Sequence, residues 1–478
     1  MSNRILLALA AALCLGTPVM AERPEITSAM QPFVSQDAPV IALVHARVID
    51  GTGAAARTGR TLLLRDGVIQ AEGTDGALAI PAGAKVIDLS GQTVLPGLVQ
   101  MHEHLWMYAG SILSVPKTYP KLFLAAGVTT IRTAGSYNPY IDMKARNDIE
   151  AGRSVGPRID LTIYMDLFGA PRLSDAQATQ KYLEFWLDSG FTSVKAYAYT
   201  QAEPLHAAIK LAHERGFKVT GHLCEVTYAE AAKMGIDNIE HGFAMTPDLV
   251  HRHLHDERQG FDESDGTDKS CSSDALRSLD GVEPTSEAAM SLIHTMVKHG
   301  VAVTSTLPAL EDLAVGIPEQ QGVDLLPEVL QDFHRKARSS LAEMGPHFPL
   351  ESLQKSAQME RQFMQAGGLL LSGSDPAVPS GGVIAGYGNL RQLELMVEHG
   401  FTPLEAIRVS TLNGAIYLEQ QDRIGSIEAG KRADLLVVRG DPSANISDLR
   451  NATLVFKDGI GYDPAALREA VRGRVGLE

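Results

Sequence analysis

Four histidines, a lysine and an aspartate stand where a folded chain can bring reactive side chains together. His102 and His104 lie two residues apart in LVQMHEHL, so on a strand both point to the same side. Lys195 sits among apolar neighbours in TSVKAYAY, His222 in KVTGHL, His241 in NIEHGF and Asp375 in LLLSGSDP. Taken singly, a strand histidine is more often a hydrogen-bonded core or surface residue, a strand lysine an edge residue, and an aspartate in SGSDP a helix N-cap. Taken together, six such groups near strand ends are expensive to bury unless a cation compensates them. Imidazole and carboxylate suit zinc or another divalent transition metal with a position left open for water.

The elements that must position these groups follow a repeat. Eight strand-like runs, 98–105, 128–135, 157–163, 192–199, 218–223, 238–243, 301–307 and 369–376, alternate with helical stretches. We read the fold class as α/β, a (β/α)8 TIM barrel spanning 96–424, with insertions at about 245–290 and 308–360. After the eighth strand, Thr402, Pro403 and Glu405 form a capping-box helix start. Residues 40–95 show alternating strands with Asp66-Gly67 and Ser90-Gly91 turns, read as hairpins, and 425–478 repeat that pattern. The two ends are therefore expected to build one small β-sandwich domain, with residues 22–39 loosely ordered.

The chain has 478 residues, 45% hydrophobic and 21% charged, which is ordinary globular usage. A net charge of −15 argues against nucleic acid or an anionic membrane as the main partner. Residues 1–21 read as a signal peptide, with Arg4, the apolar run Ile5 to Leu15, and Val19 and Ala21 at the cleavage site, so an exported protein is expected, periplasmic or secreted. No later stretch is apolar for long enough to span a membrane. Export leaves Cys224 and Cys271, which either pair or stay as two buried thiols.

The motifs VLPGLVQMHEHL, SVKAY, GHL, NIEHG and SGSDP, with the tail TPLEAIRVSTLNGAIYLEQQDRIGSIEAGKRADLLVVRGDP, resemble the amidohydrolase superfamily, in its imidazolonepropionase-like and Xaa-Pro dipeptidase-like branch. The resemblance runs from about Val40 to the C-terminus. It implies a binuclear centre with zinc as the expected ion: His102, His104 and Asp375 on one metal, His222 and His241 on the other, and Lys195 carboxylated by CO2 to bridge them. A metal-bridging hydroxide would attack the substrate carbonyl, with Asp375 as general base and then acid. The family usually has Asp two residues before the first histidine, whereas this chain has Gln100.

The implied reaction is hydrolysis of an amide C–N bond in a small substrate such as a dipeptide or an N-acyl amino acid. Two alternatives remain: a mononuclear deaminase or cyclic-amide hydrolase, and a catalytically silent binding protein on the same fold. Lys195 favours two metals, and the full ligand set favours an enzyme. Tyr197, Tyr199 and Tyr228 near strand ends are candidates to bind the substrate carbonyl, and Arg132 a substrate carboxylate, each with core packing or an ion pair as the plainer reading. His251, His253 and His255 suggest a second metal site or simply a solvated insertion. A Cys224–Cys271 disulfide would tie the insertion over the site. The sequence is compatible with a homo-oligomer.

Overall fold

The computed structural model describes residues 23–166, 173, 175–249, 279–314, 321–344, 348–376 and 382–477. The expected signal peptide, His251, His253, His255 and Cys271 lie outside the described residues. Among the described residues no helix is long and apolar enough to cross a membrane.

Both chain ends contribute to one nine-stranded sheet. Its order is Val34–Gln36, Ile460–Tyr462, Ala452–Lys457, Leu435–Arg439, Gln92–Pro96, Val40–Val48, Arg57–Arg65 and Val68–Thr74, with Lys85–Asp88 paired to Val40–Val48 off this path. Leu435 lies opposite Pro96 on one side and Phe456 on the other, so the C-terminal segment fills the middle of the sheet. Alternation buries Leu43, Leu62, Val94, Leu435, Val437 and Phe456 in one cluster. Asp66 and Gly67, at φ 48° and 86°, make the tight turn between Arg57–Arg65 and Val68–Thr74, as a two-residue hairpin requires.

The ladder joins all these strands in one sheet that returns on itself: Val68, on the last strand of the order, bridges Arg432 just ahead of Leu435–Arg439, and Leu62 and Ile69 share a cluster with Leu435 and Phe456. Two expectations are corrected here. Ser90-Gly91 does not close a hairpin: Lys85–Asp88 and Gln92–Pro96 both run parallel to Val40–Val48, one after the other along it. Asp88 accepts from the Ser90 backbone and hydroxyl, which turns the chain without reversing it. Finally, part of the 22–39 segment is ordered, because Val34 and Gln36 pair with Tyr462 and Gly461.

The centre of the chain is α/β. Leu98–Glu103, Val128–Thr133 and Arg158–Asp160 form one parallel sheet, and Thr162–Met165, Ser193–Ala196, Lys218–Gly221, Asn238–Glu240, Ala302–Ser305 and Leu370–Ser372 form another. A single residue, Leu161, separates the two runs of the third strand position, and a parallel bridge from Ser136 to Ile163 links the sheets. Beyond the last strand, the Asp375 N–H donates to the His102 carbonyl at 3.1 Å. The strands are short and almost wholly buried, covered by amphipathic helices. The helix Ala202–Glu214, for example, buries Leu205, Ala208, Ile209, Leu211 and Ala212, and each large aliphatic side chain so buried contributes roughly 1.5–3 kcal/mol. Helix ends follow their caps: Thr402 and Glu405 form the expected capping box, and Thr227 with Glu230 forms another.

The strand interior carries polar side chains that satisfy one another. Asn238 donates to Thr220 at 2.7 Å and accepts from Thr304 at 3.1 Å, and Gln392 donates to Ser305 at 2.7 Å. Glu360, on the helix Leu350–Gln365, is less well served. Ser356 donates to one carboxylate oxygen at 3.2 Å, and the other has no hydrogen-bond partner. Burial pushes this carboxyl up to about 7, so its protonated form adds stability that is complete below about 4.5 and lost as pH rises through about 7. Glu360→Gln should therefore leave stability nearly unchanged at about pH 4 and raise it by on the order of 1–3 kcal/mol at about pH 8. Urea unfolding at the two pH values measures this; equal effects at both would contradict the assignment.

Candidate metal centre

Each sequence-predicted residue sits at or just beyond the C-terminal end of a parallel strand. His102 belongs to Leu98–Glu103 and His104 follows it; Lys195 lies in Ser193–Ala196; His222 and His241 follow Gly221 and Glu240 directly; Asp375 lies three residues past Ser372. Strand register places Lys195 beside Tyr164 and Thr220. His241 and Asp375 adopt φ of 64° and 50°, a left-handed conformation that few non-glycine residues tolerate without support from their surroundings.

The structure brings these groups together. Asp375 Oδ1 lies 3.2 Å from His104 Nε2 and 3.6 Å from His102 Nε2, and its Oδ2 lies 3.8 Å from His241 Nδ1. Ligand atoms of His102, His104 and Asp375 all fall within 4.8 Å of one another. The His241 ring is 4.7 Å from that of His102 and 4.6 Å from that of His222, centroid to centroid. Lys195 Nζ stands 3.9 Å from Glu240 Oε1, and Glu240 Oε2 is 2.7 Å from His102 Nδ1, so one carboxylate separates the amine from the imidazole.

The donor set fits a cation. His104 Nδ1 faces the Gly135 carbonyl at 3.2 Å, and His102 Nδ1 faces the Glu240 carboxylate. Both partners are acceptors, so both Nδ1 atoms carry hydrogen, and in the neutral rings the two Nε2 lone pairs converge on Asp375. Burial holds the imidazoles of His104 and His241 below their ordinary range and takes His222 down to about 3, which keeps their lone pairs available. His222 Nε2 is buried without a hydrogen-bond partner. At His102, burial opposes charge, but Glu240 and Asp375 together outweigh it and raise the pKa. Burial likewise pushes Asp375 upward, and His102 and His104 overcome it, holding the carboxyl well below its usual range. Asp375 and the imidazoles are thus arranged around a place that favours positive charge. Burial also lowers Lys195 to about 8, so a neutral amine is accessible near physiological pH.

Glu240 escaped the reading of the sequence. It is fully buried and accepts from Arg132 at 2.6 Å, Asn238 at 3.0 Å, and Thr220, besides His102. Its signal is visible in NIEHG: Asn238 and Glu240 alternate with Ile239, so the polar face of this buried strand points inward. Arg132 is corrected accordingly. Its guanidinium is 1% exposed and committed to Glu240, the Met101 carbonyl and the Tyr417 hydroxyl, so it is structural and does not meet substrate. Tyr228 is wholly buried at the start of the helix Tyr228–Met234, and its hydroxyl has no hydrogen-bond partner among the described residues. Tyr197 is half-buried with its ring 4.8 Å from that of His222, so it borders the site. Gln100 accepts from Ser372 at 3.0 Å and Asn389 at 3.2 Å, a supporting role behind the strand. Cys224 is disulfide-bonded, and Cys271, the expected partner, lies outside the described residues.

A family model described as the amidohydrolase family matches residues 93–460. Two solved structures share the fold. One is a Bifidobacterium longum protein assigned as a prolidase, 23% identical, with a TM-score of 0.63, covering 90% of this chain and 98% of that one. The other is a Xaa-Pro dipeptidase with methionine in its active site, 20% identical, with a TM-score of 0.62, covering 89% of this chain and 100% of that one. An adenine deaminase from Klebsiella pneumoniae is 44% identical over 63 residues, which is 13% of this chain and spans 9% of the length of that relative.

Removing the charge of Glu240 tests its part in the cluster. Glu240→Gln keeps the shape but deprives buried Arg132 of its hydrogen-bonded counter-ion, and should cost on the order of 3 kcal/mol. Chemical unfolding measures it; a loss below about 1 kcal/mol would show that the pair is not the balance described.

Proposed function

The chain belongs to the amidohydrolase family, and from that premise we propose that it is an exported, metal-dependent hydrolase that cleaves the amide bond of a small substrate such as a dipeptide or an N-acyl amino acid. The observation that carries this reading is the convergence of the His102 and His104 Nε2 atoms on Asp375, beside His241 and the unpartnered His222 nitrogen. In this reading His102, His104 and Asp375 would hold one divalent ion, expected to be zinc, and His222 and His241 would hold a second.

Lys195 would join these donors as a carbamate, its neutral amine adding to CO2 to form an N–C bond and releasing a proton. That reaction converts a neutral amine into an anion with two donor oxygens, which an amine cannot offer. The bound ions would supply acidified water and a polarised carbonyl. The chain supplies the rest. Asp375, held ionised by His102 and His104, accepts the proton of the attacking water and returns it to the leaving amine. Glu240 holds His102 in the tautomer whose Nε2 faces the reaction, and the Gly135 carbonyl does the same for His104. Products are a carboxylate and an amine.

Metal analysis joined to hydrolysis assays on dipeptides and N-acyl amino acids tests this. About two ions per chain are expected. Chelation should abolish hydrolysis and zinc restore it; hydrolysis that survives complete metal removal would refute the reading. Incubation with 13C-labelled bicarbonate should give a carbamate carbon resonance that is absent in Lys195→Ala, together with a loss of activity of about a hundredfold or more. A stoichiometry near one ion, unchanged by Lys195→Ala, would favour the mononuclear alternative instead.

A further inference from the structure

The reactive groups occupy only half of a circuit of aromatic rings. On one side, the imidazoles run from His104 through His102 and His241 to His222, with successive centroids 5.4, 4.7 and 4.6 Å apart. On the other, the Tyr197 ring stands 4.8 Å from His222, and Tyr164 meets Tyr197 edge to face at 5.9 Å and 89°. Tyr164 lies against Gly135 so closely that a methyl group there would collide with its ring. Trp106 reaches the same glycine from the His104 side: its indole N–H donates to the Gly135 carbonyl at 3.4 Å, and its ring lies 4.6 Å from that of His104, so Gly135 joins the two ends of the row.

This second half has its own chemistry. Trp106 and Tyr164 are 6% and 5% exposed, Tyr197 is half-buried, and none of the three carries a charge at neutral pH. Burial, followed by the neighbouring Tyr197 and Asp375, holds the Tyr164 phenol well above its ordinary value. The Asp375 side chain, at 16% exposed against 2% for His102, marks where the circuit opens to solvent. Among the described residues, the carboxylate that acts most on Tyr164 is Asp375, already engaged by His102 and His104, so a charged group seated against this wall would give up hydration without a free counter-ion there. A small group would leave the rings wet. A ring can meet them in the same edge-to-face geometry that they adopt among themselves.

We propose that the substrate carries an aromatic side chain next to the cleaved amide, seated against Trp106 and Tyr164, which are specificity-determining residues. This rests on the amide-hydrolase reading above and narrows its substrate class. Tyr197 serves as the shared border between this wall and the reactive half.

The test has two arms. Trp186→Phe removes the other of the two tryptophans and leaves Trp106 as the reporter. In that protein, purified as the holoenzyme, free L-phenylalanine, which contains no amide to cleave, should change Trp106 emission saturably at a concentration roughly tenfold below that needed for glycine, L-aspartate or L-lysine. In the second arm, kcat/KM for N-acetyl-L-phenylalanine should exceed that for the glycine, aspartate and lysine analogues by roughly tenfold or more. Tyr164→Leu should bring that ratio close to one, and Tyr164→Phe should restore it, because the ring and not the hydroxyl is what selects. Equal binding of all four amino acids, a preference for the charged ones, or a ratio untouched by Tyr164→Leu would overturn the proposal. Selective binding without any amide hydrolysis would sink the function proposed above and leave this wall standing. Hydrolysis without side-chain preference would do the reverse.

Discussion

A single buried carboxylate sets the electrostatics of this molecule. Glu240 lies in the strand interior, where an uncompensated ion costs several kcal/mol even after relaxation. It is tolerated because donors meet it from several sides: Arg132, Asn238, Thr220 and His102. These come from four different strands or strand ends, so the ion pair and its hydrogen bonds also fix how the strands stand relative to one another. The consequence for chemistry follows directly. An anionic acceptor at His102 Nδ1 dictates which ring nitrogen bears hydrogen, and that choice turns the other nitrogen toward Asp375.

The backbone contributes a second constraint. His241 and Asp375 both leave their strands in left-handed conformations, and Asp375 is tied back by its N–H to the His102 carbonyl. Beside it, the Ser374 backbone and hydroxyl both donate to Glu103, at 2.9 and 2.6 Å. Burial raises Glu103 to about 7 despite these donors, so the loop that presents Asp375 leans on a carboxyl group that is itself poised between its two protonation states. Strain at the reactive residues is thus held by a polar network rather than by apolar packing alone.

Much of this was legible in the sequence, and the reasons differ from residue to residue. The parallel strands announced themselves because a strand covered on both faces reads as a short apolar run, and because His102, Lys195, His222, His241 and Asp375 are conspicuous at the ends of such runs. The Thr402 cap was legible because its signal is local. Arg132 was misread because strand position indicates nearness to a site but not whether a partner has already claimed the side chain. Glu240 was missed because an acid beside a histidine in NIEHG looks like a strand ending at solvent; only the far strands that supply Arg132 and Thr220 make it interior. The turn at Ser90-Gly91 failed for a similar reason. Local chemistry specifies that the chain turns, whereas pairing with Val40–Val48, more than forty residues earlier, decides the direction it takes afterwards.

The nine-stranded sheet imposes an order of events on the chain as it is made. Leu435–Arg439 sits between Gln92–Pro96 and Ala452–Lys457, so one of the central strands is translated more than three hundred residues after its neighbour. Until it arrives, Gln92–Pro96 presents an open row of backbone donors and acceptors, the kind of edge that invites association with another chain. The closing strands therefore act as a latch that only a finished polypeptide can throw, and an interrupted or clipped product would be left with a sticky, unsealed margin rather than a smaller working enzyme.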